Sequence, residues 1–232
     1  MIKEAADYSI QILNSCLKKQ TVCRIALSGG STPEPLYRML GNSTLADCLE
    51  WKRIHFFWSD ERMVPPDHPE SNYRLAYNTL LLPRNIPEAN IHRLPGELEP
   101  DQAALISSRN LEKHFHPDQP QFDLILLGIG SDGHTASLFP DTEAVIPPLP
   151  QSWITANYIP KFDSWRLTFT ERLINLGQEI LFLAAGKAKA QAAAEIIEGE
   201  QNPALFPAQL VQPVNGSVTW FLDQEAASEL TP

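Results

Sequence analysis

Cysteine is scarce in this chain: Cys16, Cys23 and Cys48 are the only three among 232 residues. An odd trio without metal-ligand spacing argues against a disulfide framework and reads as reduced thiols, which suits a cytoplasmic protein. Basic runs are missing too, and the net charge is −10. Phosphate-backbone and anionic-membrane binding rest on a cationic surface, so neither nucleic acid nor membrane is expected as a partner. The opening residues, MIKEAADYSIQILNSC, hold no uninterrupted apolar segment of the length a signal peptide or membrane span needs. Export is therefore not expected. There is no Walker-type G-x-x-x-x-G-K-[ST], no internal repeat and no low-complexity tract.

What is present is an ordinary globular composition, 43% hydrophobic and 20% charged, which is enough apolar content for a full core. The length suits one α/β domain over residues 1–232 and is short for two domains with a cleft between them. Short β-branched or aromatic runs alternate with segments of helical period, the pattern of a mainly parallel sheet with helices on both faces. The strand candidates are Arg24–Ser28, Arg53–Trp58, Phe122–Gly128, Trp153–Tyr158, Arg166–Thr170, Glu179–Ala184 and Ser217–Leu222. FDLILLG is almost continuously apolar and predicts a central strand covered on both sides. Helices are expected over Ala5–Leu17, Ser71–Leu82 with Ser71 as N-cap, Pro100–Phe115 and Ala188–Glu198, with a short one after Asp223. In Leu138–Asp163 the residues Pro140, Pro147, Pro148, Pro150 and Pro160 break every candidate helix, and an ordered flap is expected.

Ligands of open α/β sheets bind beyond the carboxyl ends of the strands, so the segments after the strands are where function is sought. After RIALS comes Gly29-Gly30-Ser31-Thr32-Pro33, a small-residue turn that can offer backbone N–H groups and two hydroxyls to a phosphate; a tight turn without a ligand is the plainer reading. After RIHFFW come Ser59, Asp60, Glu61 and Arg62, by composition a solvated loop, by position a candidate site. Lys187 and Lys189 follow EILFLA and can reach an anion, although most lysines at such positions are simply on the surface.

GIGSDG, Gly128 to Gly133, matches the dinucleotide fingerprint G-x-G-x-x-G. That fingerprint needs a long helix behind it and an acidic residue about 20 positions on, at the end of a second strand. Here Pro140 stops any helix early, so the motif is set aside. The same glycines precede His134, with Asp132 near enough in sequence to orient its ring. A loop histidine with an ordinary hydrogen bond is the alternative, and the combination favours a general base.

Taken in order, ALSGGSTPEPLY, FFWSDERMVPPDHPESNY, DLILLGIGSDGHTASLFP, RLTFT and AAGKAKA resemble the motif set of the glucosamine-6-phosphate isomerase/6-phosphogluconolactonase family, on its lactonase side. The resemblance runs from about Ala26 to PAQLVQPVNGSVTWFLD. It implies a Rossmann-like fold shared with glucosamine-6-phosphate deaminases and ribose-5-phosphate isomerases, and hydrolysis of 6-phospho-D-glucono-1,5-lactone with no cofactor and no metal. By the same resemblance His134 is the catalytic histidine and Arg62 the arginine of the active-site loop. Gly29, Gly30, Ser31 and Thr32 form the phosphate loop, Arg166 and Lys189 are its basic positions, and Asn72 is a further site residue. Asp60 matches the base of the deaminases.

The chemistry stands beside the resemblance: neutral His134 activates water against the lactone carbonyl, then returns the proton to the departing ring oxygen, while a cation or backbone donor meets the oxyanion, Arg62 being the candidate for that role or, alternatively, for binding the phosphate. The partner implied is a phosphorylated sugar lactone, and the chain is expected as a monomer or small homo-oligomer. Two other readings remain. In the deaminases a glutamate stands where this chain has Phe139, which leaves a deaminase or isomerase incompletely equipped; a non-catalytic sugar-phosphate sensor would keep the phosphate loop without the base.

Overall fold

The computed structural model describes residues 1–115, 118–147 and 149–231. Pro148, one of the expected helix breakers, lies outside them. Nine strands are assigned among the described residues: β1 (Cys23–Leu27), β2 (Ile54–Trp58), β3 (Asp60–Arg62), β4 (Ile91–His92), β5 (Leu124–Gly128), β6 (Ile154–Ile159), β7 (Ser164–Phe169), β8 (Glu179–Ala184) and β9 (Ser217–Leu222). The α-helices are α1 (Ile2–Lys19), α2 (Glu34–Asn42), α3 (Asn72–Ala76), α4 (Pro100–Phe115), α5 (Glu171–Ile174) and α6 (Ala190–Ile197).

Six strands form one sheet in the order β4-β2-β1-β5-β8-β9, and every pairing is parallel. Counted in chain order within that sheet this is 3-2-1-4-5-6, the doubly wound arrangement whose direction of winding reverses between β1 and β5. β5 lies at the centre, as its apolar run predicts: Leu124, Ile125, Leu126 and Leu127 are wholly buried. Each such side chain contributes about 2 kcal/mol by leaving water. The amphipathic α1 turns Ala5, Ala6, Ile10, Leu13 and Leu17 inward and packs on β1, β5 and β9.

The sequence pattern differs from the structure in four places. The runs around β6 and β7 do not join the main sheet; with β3 they build a separate antiparallel sheet, β3-β7-β6, packed against α4. Their connection explains it, because Pro160–Phe162 form one 3-10 turn and Asp163 has φ 46°, a hairpin link too short for a parallel crossover. Accordingly, the expected flap is in part β6, and its preceding loop is tied down by Asn157, whose Nδ2 donates to the Ser137 carbonyl and Thr142 Oγ1 at 2.9 Å each.

The helix expected over Ser71–Leu82 begins as predicted, with Ser71 Oγ accepting from the Arg74 amide at 3.1 Å, but it widens into a π-turn over Tyr77–Leu81. The one expected over Ala188–Glu198 starts as a 3-10 turn, Lys187–Lys189, before α6. Among the described residues no helix follows Asp223. Its carboxylate accepts from Gly186 N at 3.1 and 3.0 Å and from Ala226 N at 2.8 Å, so the chain there folds into turns that clamp the lysine loop. Among the described residues no helix is long and apolar enough to cross a membrane.

Candidate active site

Because the winding reverses between β1 and β5, the loops leaving those two strands diverge and open a crevice at their carboxyl ends. Gly29–Pro33 follows β1 and Ile129–Ala136 follows β5. A cleft of about 200 Å³ lies there, lined also by Asp60 and Arg62 of β3, by Asn72, by Arg166 of β7 and by Lys189 after β8. Of the residues expected from the sequence, His134, Arg62, Gly29, Gly30, Ser31, Thr32, Asp60, Asn72, Arg166 and Lys189 line this cleft, Asp132 sits behind His134, and Lys187 instead donates to Ser228 Oγ at 2.9 Å.

His134 is held from behind. Its Nδ1 lies 2.5 Å from Asp132 Oδ1, and Asp132 Oδ2 accepts from Lys161 Nζ at 2.8 Å. Burial raises the Asp132 pKa, but the hydrogen bonds and charges of His134 and Lys161 outweigh it and hold the carboxyl far below the usual range. An ionised Asp132 can only accept, so Nδ1 carries the hydrogen and Nε2 keeps its lone pair. Gly130 makes this arrangement possible, since a Cβ there would fall 2.0 Å from His134 Nδ1 and 2.4 Å from Asp132 Oδ1. The Gly130 amide donates to the His134 carbonyl at 2.8 Å and closes the loop. Instead of the long helix a dinucleotide needs, a bridge between Thr135 and Leu138 follows.

The β1 loop leaves its backbone donors open. Gly30 has φ 96°, and among the described residues the amides of Gly29, Gly30, Ser31 and Thr32 donate to no protein acceptor. A Cβ on Gly29 would sit 1.8 Å from Asn72 Oδ1, so the loop and Asn72 close together only because residue 29 is glycine. The strand end is pinned by buried Tyr37, whose hydroxyl donates to the Ser28 carbonyl at 2.7 Å and accepts from its amide at 3.0 Å.

Three cations face this loop. Arg62 and Arg166 are direct partners in the antiparallel pairing of β3 with β7. Like charges directly opposite on a ladder destabilise it unless an anion lies between them. Burial first, and then the Arg62 charge, lowers the Arg166 pKa, and burial likewise lowers that of Lys189. Arg62 Nη1 is anchored on the Glu70 carbonyl at 2.9 Å, while its buried Nε has no partner among the described residues. Asp60 is engaged: Oδ1 accepts from Asn72 Nδ2 at 3.1 Å and Oδ2 from Ser137 Oγ at 2.8 Å.

Two contributors, Lys161 and Ser28, were not singled out from sequence. Lys161 lies 29 residues from Asp132 with no local signal linking them. Ser28 lines the cleft with a buried hydroxyl that has no partner among the described residues, and its position before the paired glycines was the available clue. Buried Glu61 accepts from the amides of Arg62, Asn72 and Tyr73 at 2.8 Å each and from Ser71 Oγ at 3.0 Å. Burial raises the Glu61 pKa against these bonds, which fix β3 to the start of α3.

Fold and cleft define a doubly wound α/β protein that gathers glycine-rich turns, three cations and an aspartate-bonded histidine at the switch point of its sheet. The family model described as glucosamine-6-phosphate isomerases/6-phosphogluconolactonase matches residues 1–220, and this chain belongs to that family. It is 45% identical over 212 residues to a 6-phosphogluconolactonase of Synechocystis, covering 90% of this chain and 85% of the relative. A second, from Nostoc, is 37% identical over 235 residues, covering 100% and 94%. The crystal structure of 6-phosphogluconolactonase from Thermotoga maritima superposes with a TM-score of 0.82 at 30% identity, covering 95% of this chain and 94% of that one.

Proposed function

We propose that this chain hydrolyses 6-phospho-D-glucono-1,5-lactone to 6-phosphogluconate, the lactonase step of the pentose phosphate pathway. One observation carries the reading: His134 is oriented through Nδ1 by ionised Asp132, and it stands in a cleft whose other groups suit a phosphorylated, carbonyl-bearing ligand. The amides and hydroxyls of Gly29–Thr32, with Lys189 and Arg166, take the phosphate. His134 Nε2 removes a proton from water as its oxygen bonds to the lactone carbonyl carbon. The negative charge that gathers on the former carbonyl oxygen is met by Arg62. When the intermediate collapses, the bond to the ring oxygen breaks and the imidazolium returns its proton to that oxygen. No redox partner enters the balance.

Phe139 argues for a lactonase over a deaminase or isomerase, because an apolar ring stands where the deaminases carry a glutamate. The same cleft contains both His134 and Arg62, which a mere phosphosugar sensor would not require. We further propose one catalytic domain over residues 1–232, acting as a monomer or small homo-oligomer. The free thiols of Cys16, Cys23 and Cys48 support a cytoplasmic location.

The test is lactone hydrolysis by purified protein, read above the spontaneous rate with and without a chelator, beside an ammonia assay on glucosamine 6-phosphate. Chelator-independent turnover of the lactone and no ammonia are expected. Ammonia release would overturn the assignment.

A further inference from the structure

Away from the cleft, at the β4 edge of the main sheet, three histidines converge. His55 is on β2, His92 on β4 and His114 near the end of α4. Their ring centroids are 5.2, 4.5 and 5.0 Å apart, and one ligand atom from each lies within 4.8 Å of the other two. His92 and His114 line a cavity of about 570 Å³ that shares no residue with the cleft. Two buried polar atoms of residues lining that cavity, His114 Nε2 and Ser107 Oγ, have no partner among the described residues; Ser107 is only 6% exposed. Unsatisfied polar atoms of this kind cost free energy unless something binds them.

We propose that His55, His92 and His114 bind a divalent first-row transition ion of the imidazole-preferring kind, zinc being the representative, with the remaining position of the ion open to this cavity. Three neutral imidazoles and one exchangeable ligand form a recurrent zinc donor set. The contact between His55 Nδ1 and His92 Nε2, 2.9 Å, is a little under the edge of a tetrahedron built on zinc–nitrogen bonds of about 2.0–2.1 Å, so a small outward turn of the rings admits the ion. Metal ligation requires unprotonated imidazole. Burial first, then the charges of the neighbouring histidines and Arg24, keeps His92 at about 3 and His114 at about 4, and His55 is lowered by burial and Arg24. The proton that one of His55 Nδ1 and His92 Nε2 donates to the other has to pass to the second nitrogen of its own ring before both can ligate, a tautomer change with no net loss of a proton. Arg24 opposes a dication, and Lys113 and Arg93 also stand at the cavity, so the open position suits an anionic fourth ligand such as hydroxide. An ion here would fasten β2, β4 and α4 together. The proposal is independent of the lactonase reading.

The test is calorimetric titration of chelator-treated full-length protein with zinc, paired with cobalt as a visible probe. One equivalent is expected, with the absorption of a four-coordinate cobalt centre. His92→Asn and His114→Asn are each expected to weaken binding by at least about tenfold, while His134→Asn leaves it unchanged. Should a variant fail to fold, histidine ring-nitrogen spectra of the wild-type chain settle the matter: zinc should shift three imidazoles together and leave that of His134 in place. Absence of stoichiometric binding, binding that survives both substitutions, or zinc that shifts His134 instead would overturn the proposal.

Discussion

The ring of Phe139 stacks on the imidazole of His134, with centroids 3.8 Å apart and planes 23° from parallel. Phe162 closes edge-on behind it at 5.8 Å. Phe139 is thus the wall against which the proposed base rests. Phe139→Ala should cost about 3–5 kcal/mol of stability, as emptied aromatic sites do. It should also lower kcat more than it raises KM, because a ring free to tilt loses alignment with water. Denaturant unfolding and steady-state kinetics on the variant measure both.

His134→Ala should reduce kcat by about 10²–10⁴ and leave affinity for 6-phosphogluconate nearly intact. Asp132→Asn keeps the ring but replaces an acceptor-only carboxylate with an amide that can also donate to Nδ1, so the tautomer is no longer fixed and a loss of about 10²-fold or more is expected. Activity retained by the alanine variant would remove His134 from its assigned role.

Gly130→Ala tests the loop without removing a polar group. Its methyl would collide with His134 Nδ1. Displacing the imidazole by about 1 Å should cost about 10²-fold in rate, with an unchanged far-ultraviolet spectrum. A fully active variant would mean that the loop tolerates movement its packing argues against.

The two paired arginines should separate kinetically. Arg62→Gln is expected to lower kcat by about 10²–10³, the usual cost of losing a donor to a developing oxyanion. Arg166→Gln should act mainly on KM, by about tenfold for each 1.4 kcal/mol of lost phosphate binding. The reverse pattern would exchange their roles.

Stability should fall on mild acidification, and the sign follows from the histidines. His92 and His114 stay neutral in the folded chain down to about 3 and about 4, whereas unfolded imidazoles take up protons near 6.5. The unfolded state therefore binds more protons below 6.5, and the stabilisation, whole above that pH, is lost progressively as pH falls toward 4 and 3. Asp132 adds a loss of the same sign lower down, beginning near its ordinary pKa of 3.8. Urea midpoints between pH 7 and 4 for wild type and His92→Gln check this: the variant should show the shallower decline, and parallel curves would contradict it.

Much of the fold was legible locally. EILFLA and SVTWFL coincide with β8 and β9, and PDQAALISSRNLEKHF with α4, because uninterrupted apolar or periodic runs declare themselves within a few residues. β3 and β4 did not, being three and two residues long and too short for any period to register. GGST, SDER and GIGSDGH were legible as site segments because each follows a strand run, where an α/β sheet puts its ligands.

By itself, then, the sequence determined an α/β chain with a parallel sheet, the loops that carry its polar residues, and the family to which their order belongs. These follow from local periodicity, glycine placement and strand ends. Only the tertiary structure decided that Lys161 reaches Asp132, that Arg62 and Arg166 stand opposite one another, and that His55, His92 and His114 meet. Such contacts join residues tens of positions apart, and strand order and register bring them together, neither of which a local pattern encodes.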